Sequence, residues 1–294
     1  MSHKSGFVNI IGSPNVGKST LMNQLVGERL SIITSKHQTT RHRIMGMVNE
    51  EDYQIVFSDT PGIIDPAYKL HENMMKFVSE ALKDADVLIV MTDIYEEIDK
   101  IKERVERFSK LEIPVLVFIN KIDQSDQDKL IVLVESWKKM LPKAEILPIS
   151  ALHNMGVDFI LPKIVQLLPE GPAYFDKDQL TNKNMRFFIS EIIREKILLQ
   201  FQKEVPYSCE VVVEEYLEDE DIIRIRTNIM VSRDTQRAIL IGHQGEKIKK
   251  LGIASRKDIE AFVLKKVHLE LYVKVDKDWR NKDGKLKKYG YWVI

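Results

Sequence analysis

Residues Gly12-Ser13-Pro14-Asn15-Val16-Gly17-Lys18-Ser19 follow the apolar run Phe7, Val8, Ile10, Ile11 and open onto a helix-like stretch that starts near Lys18. A glycine-rich loop between a strand and a helix is the setting a phosphate-binding P-loop requires. Its two glycines let the successive backbone N–H groups of Pro14 to Thr20 turn onto phosphate oxygens, except at the proline itself, and the helix N-terminus adds partial positive charge. In this pattern the ammonium of Lys18 reaches the β- and γ-phosphates, and the Ser19 hydroxyl ligates Mg²⁺. The motif constrains the fold: open α/β sheets of this kind bind ligands at the C-terminal edge of parallel strands.

Four more fragments stand in the order such a site needs. Asp59-Thr60-Pro61-Gly62 ends the apolar run Ile55-Val56-Phe57. A strand-end Asp can hold Mg²⁺ through water, and the Gly62 N–H can meet a γ-phosphate. Thr39-Thr40 lies in a polar segment between the first helix and that strand. One of these hydroxyls, Thr40 by preference and Thr39 otherwise, can ligate Mg²⁺ only while a γ-phosphate is present, which defines a switch. Asn120-Lys121-Ile122-Asp123 follows the strand-like run Val115–Ile119, and Ser150-Ala151 follows Ile146–Ile149. An acceptor-only carboxylate at Asp123 matches the N1–H and exocyclic amino donors of guanine, a pair that adenine lacks. Lys121 can lie across the base, and the Ala151 N–H can meet its O6. The pattern therefore selects GTP and GDP.

Alternating strand-like and helix-like runs predict a doubly wound, mostly parallel α/β sheet over residues 1–170. Strands are expected at 7–12, 43–49, 53–59, 86–92, 114–119 and 145–149, with helices at 18–26, 69–83, 98–110, 127–140 and 157–168. Pro169-Glu170-Gly171-Pro172 breaks the pattern, and 171–183 reads as a linker. The remaining 184–294 changes order: a helix at 185–201, strands at 208–217 and 222–232, a helix ending near 266 and a strand at 269–275. Between the strands and the last helix runs Ile241-Gly242-His243-Gln244-Gly245. Gly-x-x-Gly alone is weak, because composition produces it about once in a chain this long. Lys247, Lys249, Lys250, Arg256 and Lys257 follow at once, and Ile239, Ile241 and Ile248 can line a groove beside the turn. That combination resembles a type II KH domain, a small α+β module whose backbone approaches single-stranded nucleic acid. His243 and Gln244 are not cationic, so backbone and helix-dipole contacts carry more there.

Charge supports the division. The 44 basic and 44 acidic residues cancel, yet 1–180 holds 21 against 26 and 181–294 holds 23 against 18. The excess concentrates in 233–294, with 16 basic against 8 acidic, a footprint for a polyanion. Nucleic acid is the first reading of that footprint, and docking on the inner face of a membrane or on protein partners is its rival. The tail from Trp279 to Trp292 interleaves cations with aromatics, so Trp279 either stacks on bases or packs under the sheet. A single cysteine, Cys209, excludes an intrachain disulfide and reads as a buried thiol. With no apolar signal core and no run near about 20 apolar residues, the expectation is a cytoplasmic, monomeric protein, peripheral on membrane at most.

Residues 1 to about 170 resemble translation-factor-type small GTPases, and Pro14-Asn15 with Gln38-Thr39-Thr40-Arg41 narrows the resemblance to the Era-like branch. A GTPase followed by a KH module is similar to that family over nearly the whole chain. The resemblance implies GTP hydrolysis, binding of 16S ribosomal RNA near its single-stranded 3′ end, and a role in 30S subunit assembly and rRNA maturation. Ile63 follows Gly62, where Ras-like proteins place a water-orienting Gln. An alkyl side chain cannot hold the attacking water, so the water-positioning group is unassigned and slow intrinsic turnover is expected. The resemblance further implies that Asn15 helps hold a K⁺ ion.

Overall fold

Long apolar runs rich in β-branched residues become strands buried on both faces, as a parallel sheet covered by helices on both sides requires. In the computed structural model, which describes residues 3–292, the first half runs β1 (Lys4–Gly12), α1 (Lys18–Val26), β2 (Ile44–Asn49), β3 (Tyr53–Asp59), α2 (Lys69–Lys83), β4 (Val87–Asp93), α3 (Ile98–Glu106), β5 (Val115–Asn120), α4 (Gln127–Met140), β6 (Glu145–Pro148) and α5 (Ile160–Leu167). The sheet order is β2-β3-β1-β4-β5-β6. Only β2 is antiparallel; β3, β1, β4, β5 and β6 pair in parallel. Every residue of β4 is buried. In this register Ile10 faces Asp59 and Asp93 faces Asn120, so Gly12, Asp59, Asp93 and Asn120 end their strands on one edge.

The stretch read as a linker, 171–183, is for the most part an arm of the first unit, which extends through Asn182. Gln54 explains the attachment: its amide oxygen accepts from the N–H groups of Tyr174 and Phe175 at 2.7 and 3.0 Å, and its nitrogen donates to the Phe175 carbonyl. Further along, the Met47 N–H donates to the Leu180 carbonyl and the Thr181 hydroxyl to the Met45 carbonyl. The open edge of β2 thus has its backbone groups satisfied, as an edge strand requires. Two short stretches of the first half, Ile32–Thr39 and Asp65–Met74, cluster with the second unit.

That second unit comprises α6 (Met185–Gln200), β7 (Cys209–Glu218), β8 (Ile222–Val231), α7 (Asp234–Ile241), α8 (Glu246–Val263), β9 (Lys266–Val275) and α9 (Asp283–Lys288). Its sheet runs β7-β8-β9, antiparallel between β7 and β8 and parallel between β8 and β9. Ile189, Ile193 and Ile197 of α6 pack with Ile223, Ile225 and Ile229 of β8 and with Leu251 and Ile259 of α8 in one apolar core. The last strand starts at Lys266 rather than 269 because α8 stops at Leu264, which takes a left-handed conformation. Trp279 is fully buried and its indole N–H donates to the Ser208 carbonyl at 3.0 Å, so it packs in the unit rather than stacking on bases. Cys209 is buried, and its thiol donates to the Val205 carbonyl at 3.0 Å. Among the described residues no helix is long and apolar enough to cross a membrane.

Candidate nucleotide and nucleic-acid sites

The P-loop turns between β1 and α1 with Gly17 at φ 105°, where a side chain would be strained. A Cβ there would also stand 2.2 Å from the Asn120 amide nitrogen. Pro14 stands against Gly62, Val16 is buried, Asn15 is exposed, and Thr20 lies half-buried in the first turn of α1. Lys18 is buried with its ammonium folded onto the loop, donating to the carbonyls of Gly12 at 3.1 Å and Ser13 at 2.8 Å. Burial pulls its pKa down to about 8, against the charges of Asp59 and Glu96.

Three oxygens converge beside it. Ser19 Oγ lies 2.6 Å from Asp59 Oδ2 and 2.9 Å from Thr40 Oγ1, and Thr40 Oγ1 lies 3.3 Å from the same carboxylate oxygen. Among the described residues, Asp59 Oδ1 is buried with no hydrogen-bond partner. Burial pushes the Asp59 carboxyl up, against hydrogen bonds from Ser19 and Thr40 and the charge of Lys18. Hard oxygen donors around a buried, partly unsatisfied carboxylate fit Mg²⁺, which takes one or two carboxylates and keeps several waters. Thr39 is placed otherwise: its hydroxyl lies 2.7 Å from that of Thr34 and donates to the Lys36 carbonyl at 2.6 Å. Thr60 is buried, donating to the Ile10 carbonyl, and Pro61 follows it into the buried loop. Ile63 packs against the cluster that holds Ile11, Val90 and Trp137, so no polar group stands at that position.

The loops expected to read the base are stitched together and to the P-loop. Asn120 donates to the Val16 carbonyl at 2.7 Å and accepts from the Ala151 N–H at 2.9 Å. That N–H, expected to meet a guanine O6, here donates to Asn120. Ser150 Oγ donates to Asp123 Oδ1 at 2.6 Å, a bond that holds the Asp123 carboxyl below the usual carboxylate range. The ionised, acceptor-only form is the one that guanine's two donors need. Lys121, left-handed at φ 64°, pairs with Asp93 at 2.5 Å and stands 5.7 Å from the centre of the Tyr95 ring. Asp93 and Tyr95 carry no motif that would have marked them.

In the second unit the Gly-x-x-Gly turn joins α7 to α8. Gly242 (φ 74°), Gln244 (φ 49°) and Gly245 (φ 80°) are all left-handed. A Cβ on Gly242 would stand 2.7 Å from Cγ of Lys247, so only glycine lets the chain turn this tightly. Beside α8 lies a groove of about 380 Å³ lined by Ile248, Lys249, Gly252, Ile253, Arg256, His268, Leu269 and Leu271. Of the three isoleucines expected to line it, Ile248 does; Ile239 and Ile241 lie outside, and β9 supplies the opposite wall. His243, Gln244, Lys247 and Lys250 are exposed around the turn but are not among the groove-lining residues.

Phosphate loop, Mg²⁺-type triad and guanine-reading loops on one sheet edge, followed by a KH module, define a GTPase joined to an RNA-binding-type domain. A family model for 50S ribosome-binding GTPases matches residues 7–121, and one for KH domains matches 204–280. The chain is 42% identical to the GTPase Era of Staphylococcus epidermidis over 98% of its own length and 97% of the relative's. It is 45% identical to a chloroplastic ERA-like GTPase of Oryza sativa over 99% of its length and 70% of the relative's. A variant of Aquifex aeolicus Era bound to GDP·AlF₄⁻ superposes with a TM-score of 0.94 at 37% identity, covering 99% of this chain and all of that one. Era in complex with MgGDPNP and nucleotides 1506–1542 of 16S ribosomal RNA gives 0.92 at 36%, with the same coverage. The chain belongs to the Era family of GTPases, and it hydrolyses GTP.

Proposed function

We propose that this GTPase is a nucleotide-controlled switch that binds the single-stranded 3′ end of 16S ribosomal RNA and acts in the cytoplasm in 30S subunit assembly and rRNA maturation. The observation that carries the RNA reading is the left-handed Gly242–Gly245 turn beside an apolar groove that also includes the exposed cations Lys249 and Arg256. Such a turn lets backbone approach sugar-phosphate while the groove takes bases. The Era relative solved with MgGDPNP and that stretch of RNA supports the same reading. Exposed Lys247 and Lys250, with His243 and Gln244 at the turn, extend the surface along the strand.

On the nucleotide side, the loop N–H groups and Lys18 hold the phosphates, while Ser19, Thr40 and, through water, Asp59 hold Mg²⁺. The ion supplies neutralisation of phosphate charge as the γ-phosphoryl departs. Thr40 joins that set only with a triphosphate, and Gly62 offers its N–H to the same group, so hydrolysis releases both loops. Asp123 reads guanine, Ser150 keeps it ionised, Lys121 covers the base and Asn120 ties base loop to phosphate loop. With an alkyl group at Ile63, turnover is slow; Asn15 would help hold a K⁺ ion, which would supply positive charge to the transition state. Hydrolysis should run faster in K⁺ than in Na⁺; equal rates remove the potassium site. The function is tested by mapping, through sequencing, the RNA crosslinked to GTP-analogue-loaded and GDP-loaded protein. A sharp, nucleotide-dependent peak at the 3′ end of 16S rRNA is expected; diffuse crosslinks, alike in both states, would contradict it.

A further inference from the structure

The helix that opens the second unit carries an ion pair at i,i+3 spacing that would ordinarily sit in solvent. Arg194 and Glu191 have side chains only 1% and 7% exposed. Arg194 Nε donates to Glu191 Oε1 at 2.7 Å. Its other nitrogens reach the stretch of chain that ends just before Thr40: Nη1 donates to the Gln38 carbonyl at 3.3 Å, and Nη2 donates to the Thr39 carbonyl. The same stretch has further anchors. Lys36 donates to the Phe201 carbonyl, the Ile33 N–H lies 3.4 Å from Glu195 Oε1, and the Tyr68 hydroxyl donates to Gln38 Oε1 at 3.2 Å. All these groups belong to the second unit. The next residue, Thr40, belongs to the first, where its hydroxyl meets Ser19 and Asp59.

Stability does not require this arrangement. A buried ion pair recovers little more than its own desolvation, and apolar side chains of similar volume usually do as well. What a guanidinium adds is a rigid planar fork that can hold a carboxylate and two adjacent carbonyls at once. We propose that Arg194, oriented by Glu191, is a positioning residue for GTP hydrolysis. It fixes the Gln38 and Thr39 carbonyls and, through the Thr39–Thr40 peptide bond, sets where the Thr40 hydroxyl stands. This rests on the reading of Thr40 as the ligand engaged only with triphosphate. Arg194 then acts on the GTP-bound state and leaves GDP binding alone, and it ties the RNA-binding unit to the switch through the chain itself.

The test uses the full chain and compares affinity for a non-hydrolysable GTP analogue with affinity for GDP, in Mg²⁺, alongside kcat. Three variants suffice: Arg194→Lys, the apolar pair Glu191→Leu with Arg194→Met, and Thr40→Ala. Both Arg194 variants should lower the preference for the analogue over GDP about tenfold, inside the range usual for coupled sites. GDP affinity should stay unchanged while kcat falls, and Thr40→Ala should shift the same ratio. If Thr40→Ala shifts it and both Arg194 variants keep it, the positioning role is overturned and the Thr40 reading stands. An unchanged ratio in Thr40→Ala overturns that reading and the inference with it. Equal loss of analogue and GDP in both Arg194 variants marks a merely structural pair and also overturns the inference.

Discussion

In the first unit the groups that await a ligand are mostly buried and already bonded to one another; in the second they are exposed cations around a backbone turn. Ser19, Thr40 and Asp59 form a closed triangle, Asn120 bridges Val16 to Ala151, and Ser150 holds Asp123. Lys249 and Arg256 stand in solvent along an open groove. The first plan suits a compact ligand with fixed donors and charges, where low dielectric magnifies each contact. The second suits a flexible polyanion, whose affinity is a sum of small, salt-screened terms. Single substitutions should therefore cost far more in the first unit than in the second.

The sharpest break should come from Lys18→Ala, which removes the buried ammonium proposed to hold the phosphates. Steady-state turnover should drop by about two to three orders of magnitude, while RNA binding by the apo protein persists. Next, Asp123→Asn replaces an acceptor with a group that also presents donors to guanine. GTP affinity should fall by roughly a hundredfold, as the loss of charged hydrogen bonds implies, and preference should swing to xanthosine nucleotides in competition assays. Unchanged selectivity would misplace the base site. Gly245→Asp puts a carboxylate at the turn, at a φ of 80° that Asp tolerates better than most residues. RNA affinity should fall on the order of tenfold or more by charge repulsion, with GTP hydrolysis retained. Smallest of all, Lys249→Ala should weaken RNA binding only a few-fold. The slope of log affinity against log salt should flatten by about 0.7, the value for one phosphate contact on a single strand. A tenfold or larger loss from that one lysine would mean the second unit recognises its ligand as the first does.

Sequence made the first unit legible because its chemistry lies in covalently adjacent residues. The P-loop, Asp59–Gly62 and Asn120–Asp123 each need fixed types at fixed spacing, and each lies at a strand end. Strand β3 and helices α1, α2 and α4 run over the residues expected. The groove of the second unit was only partly legible, since Leu269 and Leu271 join Ile248 through the parallel pairing of β9 with β8. Leu264, 90% exposed and left-handed, ends α8 with none of the glycine or asparagine that would mark such a stop. The attachment of Tyr174 and Phe175 hangs on Gln54 of β3, a residue with no local signal. Arg194 and Glu191 look like any solvent-facing helical pair until the fold buries them.

In the function proposed above, these two dissimilar surfaces form one switch. Its most direct test is the dissociation constant of a fluorescent oligonucleotide carrying the 3′ end of 16S rRNA, measured with full-length protein in the GTP-analogue and GDP states at one fixed salt concentration. Binding should be tighter in the analogue state, by a factor within the 5–150-fold span of ordinary coupling. Equal affinity in the two states, with both nucleotides shown to be bound, would contradict it.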